Sequence, residues 1–291
     1  MKAAFYGKSI GNDSIFYFQQ FLTKLENSGF ETLIYEPFYK TIVQKIKFSK
    51  SFGLYNYAEE IKGCNFLFSI GGDGTLLDSV TMVRNSNIPI IGINMGRLGF
   101  LSSIPKEEID EAINNILKGN YYIEERTLLN LSTQNNYFGE LNFALNDVVI
   151  YKKDPFSLIK IKTYLNDVYL NTYWADGLII ATPTGSSAYS LSCGGPIITP
   201  QSENFILTPI ASHNMTVRPI VIPDTDVIKI AVEGRDKDFY VSLDSRNENI
   251  MESVELTIKK APFKVSLIRM VDKDFFSTLR DKLKWGFDNR N

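Results

Sequence analysis

The 291-residue chain carries only two cysteines and one histidine, too few for a disulfide framework or a convincing zinc site. Cys64 and Cys193 lie far apart in sequence and read as small buried filler in a reducing, cytoplasmic setting. No run of about 18 apolar residues occurs, so no membrane span is expected. The opening MKAAFYGKSIGNDS holds only a short apolar patch, and no leader peptide is expected. Charge of one sign is missing too. The 31 basic and 33 acidic residues leave a net charge of −2, with no basic excess to coat phosphates, and a nucleic-acid partner is disfavoured. Repeats and low-complexity tracts are absent. What is there is a chain that is 44% apolar, enough for a substantial core in one large or two modest domains.

Residues 1–120 alternate strands and helices. Lys2 to Tyr6 reads as a strand. Asn12, Asp13 and Ser14 offer an N-cap for a helix with Ile15, Phe18, Leu22 and Leu25 on one face, ending near Gly29. A strand follows over Glu31 to Tyr35. The continuous apolar runs at Cys64 to Ile70 and Ile88 to Ile93 suit strands buried on both faces. Pro105 is placed to start a helix with Ile109, Ala112, Ile113 and Ile116 inward and Gly119 behind. This alternation predicts an α/β domain with a parallel sheet. Residues 121–291 change to period two: TLLNLST, LNFALNDVVIY, SLIKIKTYL, DVYLNTYW, DVIKIAV, VELTIKK and KVSLIRM. Turns are expected between them, as at Asn166-Asp167 and Ala261-Pro262. A β-rich C-terminal domain results, closed by an amphipathic helix over Phe275 to Trp285 that is placed to pack back on the first domain.

The strand at Cys64 runs into Gly71-Gly72-Asp73-Gly74-Thr75. Glycines at a strand's carboxyl end let backbone N–H groups approach a ligand, and a following helix N-terminus favours an anion. Phosphate binding is the natural reading of Gly71, Gly72, Gly74 and Thr75. A carboxylate in such a place must serve some other end. Asp73 holds a metal, accepts a proton from an attacking hydroxyl, or caps the helix. Gly7-Lys8-Ser9 ends like a phosphate-binding P-loop, but Lys2 stands where the first glycine belongs, and the chain has no G-x-G-x-x-G.

A second signature spans residues 176–196. The strand GLIIA empties into a stretch dense in Thr, Ser and Gly, expected to present hydroxyls and N–H groups to a polyhydroxyl or phosphate ligand. Ala188 leaves room for a flat ring and Tyr189 offers a face or a hydroxyl.

The GGDGT turn followed by two leucines resembles NAD kinases, diacylglycerol and sphingosine-type lipid kinases, and phosphofructokinases. DGLI-x-x-TPTGS-x-AYS-x-S-x-GGP is similar to the NAD kinase signature alone. Three further segments agree in order: Gly92-Ile93-Asn94 with Gly96, Arg97, Leu98, Gly99, Phe100 and Leu101; Asn146-Asp147; and His213 through Arg218-Pro219 to Ile222-Pro223. The resemblance implies transfer of the γ-phosphate of ATP to the 2′-hydroxyl of the adenosine ribose of NAD, giving NADP, with Mg²⁺ or another divalent metal and with ATP and NAD as substrates. It implies that Asp73 orients or deprotonates that hydroxyl. By the same resemblance Gly74, Asn146, Asp147, Asp176, Ser187, Ala188, Tyr189, Ser190, Leu191 and Ser192 contact NAD beside Asp73, and no protein metal ligand is assigned. A homodimer or homotetramer acting on small-molecule nucleotides is implied.

Each role has a plainer rival. Asn146-Asp147 also reads as a strand-end pair, Asp176 as a turn residue and Tyr189 as core. His213 reads as a structural hydrogen-bonding residue. The chain departs from the family pattern at Asp147, where Glu is usual, at Trp174, where many members carry a basic residue, and at Asp244-Ser245-Arg246, which fills the place of an Asp-Gly-Gln element. Trp174 and Arg246 are further site candidates. Selectivity between NAD and NADH, and the choice among ATP, other nucleotides and polyphosphate, stay open. So do two rival activities, a lipid or sugar kinase on the same glycine turn and a non-catalytic NAD(P)-binding regulator.

Overall fold

The structure, a computed structural model, describes residues 1–96, 99–271 and 274–284. Arg97 and Leu98 of the glycine-rich stretch, and Trp285 of the closing helix, lie outside the described residues. The chain forms two compact units: Met1–Glu125 with Val265–Asn291, and Arg126–Lys264.

In the first unit, strands β1 (Lys2–Gly7), β2 (Glu31–Tyr35), β3 (Gly53–Tyr55), β4 (Phe66–Ile70) and β5 (Ile90–Asn94) form a parallel sheet in the order β3-β2-β1-β4-β5. Every residue of β4 and β5 is buried, as their unbroken apolar runs require. The helices are α1 (Ile15–Asn27), α2 (Glu36–Ile42), α3 (Asp73–Val83) and α4 (Ile109–Lys118). A cluster of aromatic rings fills the core: Phe5, Phe18, Phe21 and Phe68 meet at centroid distances of 5.1 to 6.2 Å. Strand order reverses between β1 and β4, and ligands bind at the carboxyl ends of strands at such a switch point. That is where β4 delivers Gly71.

The second unit is β-rich. It holds most of β7 (Tyr121–Thr133), then β8 (Phe143–Ala144), β9 (Asp147–Tyr151), β10 (Ile159–Leu165), β11 (Val168–Ala175), β12 (Gly177–Ala181), β13 (Asn204–Ile210), β14 (Ile220–Pro223), β15 (Ile228–Glu233), β16 (Asp238–Leu243) and β17 (Arg246–Met251). One antiparallel sheet runs β14-β13-β12-β9-β16-β17; in the other, β10 lies between β11 and β15. Alternate residues of both face one core, such as Ile159 and Ile161, Ile228 and Ile230, Leu178 and Ile180, Phe205 and Leu207. Asn166 and Asp167, both at positive φ, make the two-residue hairpin turn that joins β10 to β11. The hydroxyl-rich loop after β12 carries one short helix, α5 (Tyr189–Ser192), and the chain closes on α6 (Phe275–Leu283).

Two expectations are corrected and one is kept. Ser14 precedes α1 but does not cap it; its buried hydroxyl donates to the Met95 carbonyl at 2.9 Å, and residues 12–14 wind into a 3-10 turn. Pro105 stands at the helix start as expected: it precedes a 3-10 turn, Lys106–Glu108, that runs directly into α4, and it also ends a two-residue strand, β6 (Ile104–Pro105), beside β5. Ala261-Pro262 is not a turn: β18 runs unbroken over Leu256–Met270. Its first part pairs with β15 through Ile258 and its last with β5 through Leu267. Pro262 falls between these two pairings, where its missing N–H is tolerable.

Candidate active site

The turn after β4 is built to bring backbone close to a ligand. Gly71 sits at φ 153°, and a Cβ there would lie 2.3 Å from the Thr75 hydroxyl, so only glycine fits. Gly72 and Gly74 face open space. Helix α3 starts at Asp73, and its first N–H groups have no acceptor within the helix, which suits an anion.

Asp73 does not cap that helix; no side-chain cap is made there. Its half-buried carboxylate points across to the stretch after β5. Oδ2 accepts the N–H of Phe100 at 2.8 Å, and Oδ1 accepts those of Leu101 and Ser102 at 3.0 and 2.9 Å. Three donors fix the orientation of the carboxylate. They also leave Oδ2 with acceptor capacity to spare. Gly99 makes the approach possible, since a Cβ there would lie 1.8 Å from Oδ1. The glycine of the stretch after β5 is thus explained by contact with the aspartate of the turn after β4. The P-loop-like Lys8 is elsewhere engaged, paired with Asp78 at 2.5 Å.

In the second unit the Asn146-Asp147 pair and the hydroxyl-rich loop are brought together. Thr182 donates its N–H to the Asn146 carbonyl at 2.9 Å and its hydroxyl to that of Leu145 at 2.6 Å. Gly185 lies flat on Asn146, with a Cβ position only 2.1 Å from its carbonyl oxygen. Several hydroxyls expected to face a ligand turn inward. Ser186 donates to the Pro183 carbonyl of its own loop at 2.7 Å, and the Ser190 hydroxyl bonds the Thr208 hydroxyl of β13 at 2.8 Å, because buried polar groups need partners. Ser187, Ala188 and Leu191 are half-buried, and Tyr189 and Ser192 are exposed. Burial pushes the Tyr189 hydroxyl up, with further contributions from Cys193, Tyr151, Asp147 and Asp176, so these groups share one electrostatic neighbourhood.

Asp147 opens β9 and is buried. Burial, then the charge of Asp244, pushes its carboxyl up to about 7. Asp244 lies at the tip of the β16–β17 hairpin at φ 53°, a conformation a non-glycine residue rarely adopts. Its carboxylate explains the strain: it accepts the N–H groups of Leu145, Asn146 and Asp147 at 2.9, 2.7 and 3.3 Å. Arg246 is half-buried, and two of its guanidinium nitrogens donate to the carbonyls of Leu141 and Phe143. Together the hairpin clamps residues 141–147 from both backbone polarities.

Asp176 pairs with Lys152 at 2.7 Å, and Lys152 also donates to the Pro155 carbonyl. Trp174 is exposed, with the Lys160 ammonium 4.6 Å from its ring centre, so a positive charge sits where Trp174 replaces a basic residue. His213 is exposed, and it is its backbone N–H that bonds, to the Trp174 carbonyl. Sequence reasoning missed Lys152, and also Arg126, which donates to the Thr184 hydroxyl at 3.2 Å beneath the loop. Neither lies in a motif, and only the fold brings them near one.

Comparison with known proteins runs the same way. Residues 17–121 match the ATP-NAD kinase N-terminal domain and residues 145–270 the ATP-NAD kinase C-terminal domain. A Cytophaga hutchinsonii protein named NAD kinase is 43% identical over 289 residues, covering 99% of each chain. One from Flavobacterium psychrophilum is 44% identical over 294 residues, covering all of both. An NAD kinase from Archaeoglobus fulgidus, solved in complex with ATP, is 25% identical with a TM-score of 0.77, over 98% of this chain and 99% of that one. Yeast NADH kinase, solved with NADH, shares the fold at 22% identity and a TM-score of 0.87, over 99% of this chain and 89% of that one. Matches through both units in chain order define an enzyme of the phosphotransferase class. The chain belongs to the ATP-NAD kinase family.

Proposed function

We propose that this enzyme transfers the γ-phosphate of ATP to the 2′-hydroxyl of the adenosine ribose of NAD, with Asp73 as the base. The observation that carries the assignment is the Asp73 carboxylate, held at the switch point of the sheet by three backbone N–H groups with Oδ2 capacity unspent. Oδ2 accepts the hydroxyl proton as the ribose oxygen bonds to the γ-phosphorus. The bond from that phosphorus to the bridging oxygen breaks, and ADP leaves. The N–H groups at the start of α3 receive the phosphates, and this positioning with electrostatic support is the main burden of phosphoryl transfer.

The NAD-binding roles fall to Gly74 and to Asn146, Asp147, Asp176 and residues 187–192, as family resemblance assigns them. What supports this is that Asn146 is fixed against Thr182 and Gly185, with Asp147 and Asp176 each in electrostatic range of Tyr189. Among the described residues no three His, Cys, Asp or Glu side chains cluster as a metal cage. The residues present fit a divalent cation carried by the donor's phosphates, where it would neutralise their charge. We assign the enzyme to the cytoplasm, where its two free thiols suit reducing conditions. Among the described residues no helix is long and apolar enough to cross a membrane. Self-association as a homodimer or homotetramer is what the family resemblance implies.

The test is direct. Pure protein with ATP, Mg²⁺ and NAD should form NADP, detected with an NADP-specific dehydrogenase. Phosphorylation of a diacylglycerol or a sugar phosphate instead, with no NADP, would overturn the assignment.

A further inference from the structure

We propose that Arg269, at the far end of the chain from the glycine turn, is a positioning residue that aims Asp73; this rests on the assignment of Asp73 as the base. Arg269 lies in β18, in the same unit as Asp73, and is buried. Its Nη1 donates to the Leu101 carbonyl at 2.9 Å and its Nη2 to the Phe100 carbonyl at 3.2 Å. The N–H groups of Phe100, Leu101 and Ser102 are the donors that hold Asp73. One two-residue segment is therefore gripped on its carbonyl side by the guanidinium and offers its amide side to the carboxylate. The planar fork of Arg matches two adjacent carbonyls as the point charge of Lys cannot. Nε of Arg269 is spent on Glu124, itself buried, at 2.8 Å. This ion pair offsets the desolvation of the guanidinium and sets its plane.

A buried Arg held only by its ion pair would serve stability. Here two of its three donor groups go to the backbone of the segment that orients the reactive carboxylate, across 168 and 169 residues of sequence. The peptides that give their carbonyls to the guanidinium and their N–H groups to the carboxylate are polarised in the same sense by both. Loss of the fork frees the carbonyls and loosens the amides. The carboxylate then samples orientations in which Oδ2 no longer meets the incoming hydroxyl.

The experiment compares Arg269→Lys, Arg269→Met, Glu124→Gln and the double variant Glu124→Gln/Arg269→Met with the parent enzyme. The double variant removes both buried charges and keeps the test open if Arg269→Met fails to fold. kcat is expressed per NAD-binding site counted by calorimetric titration, so misfolded protein does not enter. Both Arg269→Met forms should lose roughly 10- to 100-fold in kcat with KM for NAD within about twofold, the scale of a misplaced catalytic group. Arg269→Lys should lose nearly as much, while Glu124→Gln, which keeps both carbonyl bonds, should lose less than about threefold. A kcat per site within twofold of the parent in the folded Arg269→Met or double variant would overturn the proposal, as would a loss carried by KM alone. Hydrogen exchange of the Phe100, Leu101 and Ser102 amides gives a readout independent of turnover, expected to quicken in the Arg269 variants. Should the parent form no NADP, the assigned activity fails, while unchanged exchange would refute the role of Arg269 by itself.

Discussion

Two carboxylates in this molecule use one device in opposite ways. Asp73 in the first unit and Asp244 in the second each accept three consecutive backbone N–H groups, those of Phe100 to Ser102 and of Leu145 to Asp147. Asp73 is half-buried, starts a helix and stands at a sheet's switch point. Asp244 has a side chain only 4% exposed and sits at a strained hairpin tip. Burial pushes the Asp244 carboxyl up while its N–H bonds and Arg246 pull it down. The same three bonds hold the proposed base in place where solvent reaches it, and make a scaffold where solvent does not. What an N–H nest does for a protein depends on what else the carboxylate can see.

Four substitutions sharpen that contrast, in falling order of effect. Asp73→Asn removes the proposed base and should lower kcat by roughly 10²- to 10⁴-fold, while calorimetry finds NAD affinity within about threefold. Asp244→Ala strands three buried N–H groups and should cost roughly 2 to 4 kcal/mol of unfolding free energy in denaturant titrations, raising KM for NAD as the Asn146-Asp147 turn loosens. Gly99→Ala drives a Cβ toward Asp73 and should lower kcat by roughly 10- to 100-fold with the fold kept, as judged by circular dichroism. Asp147→Asn has the smallest effect on kcat, and its effect on stability depends on pH. The folded carboxyl sits at about 7 against 3.8 unfolded. Between those values the folded state keeps a proton that the unfolded state has lost, so stability declines as pH rises from the lower value towards 7. Asp147→Asn abolishes that decline, and its gain in Tm over the parent should grow from pH 5 to pH 8; a constant difference would show that Asp147 does not titrate there.

Much of this was legible from local pattern. Unbroken apolar runs located β4 and β5, since both faces of those strands are covered. Period-two alternation located β10 and β11, and Asn166-Asp167 located their turn. Pro262 misled because a proline between two paired stretches of one long strand looks, in sequence, like any turn proline. The motifs named Asp73 and Gly99 separately but not their contact, which depends on how the segments after β4 and β5 meet. The inward turn of Ser186 and Ser190 was hidden for a related reason. Composition shows how many hydroxyls a loop has, and only packing decides which of them buried partners consume. Lys152, Arg126 and Arg269 lie outside every motif, and each was invisible until the fold placed it beside one.

The most direct test of the claim that the Phe100 to Ser102 segment acts by aiming Asp73 is a double-mutant cycle on Gly99→Ala and Asp73→Asn, with kcat measured for all four proteins. If Gly99 matters only because of what it lets Asp73 do, Gly99→Ala costs its full factor in the parent and almost nothing once Asp73 is Asn. An equal cost in both backgrounds would contradict the claim, because the glycine would then be serving something other than the carboxylate.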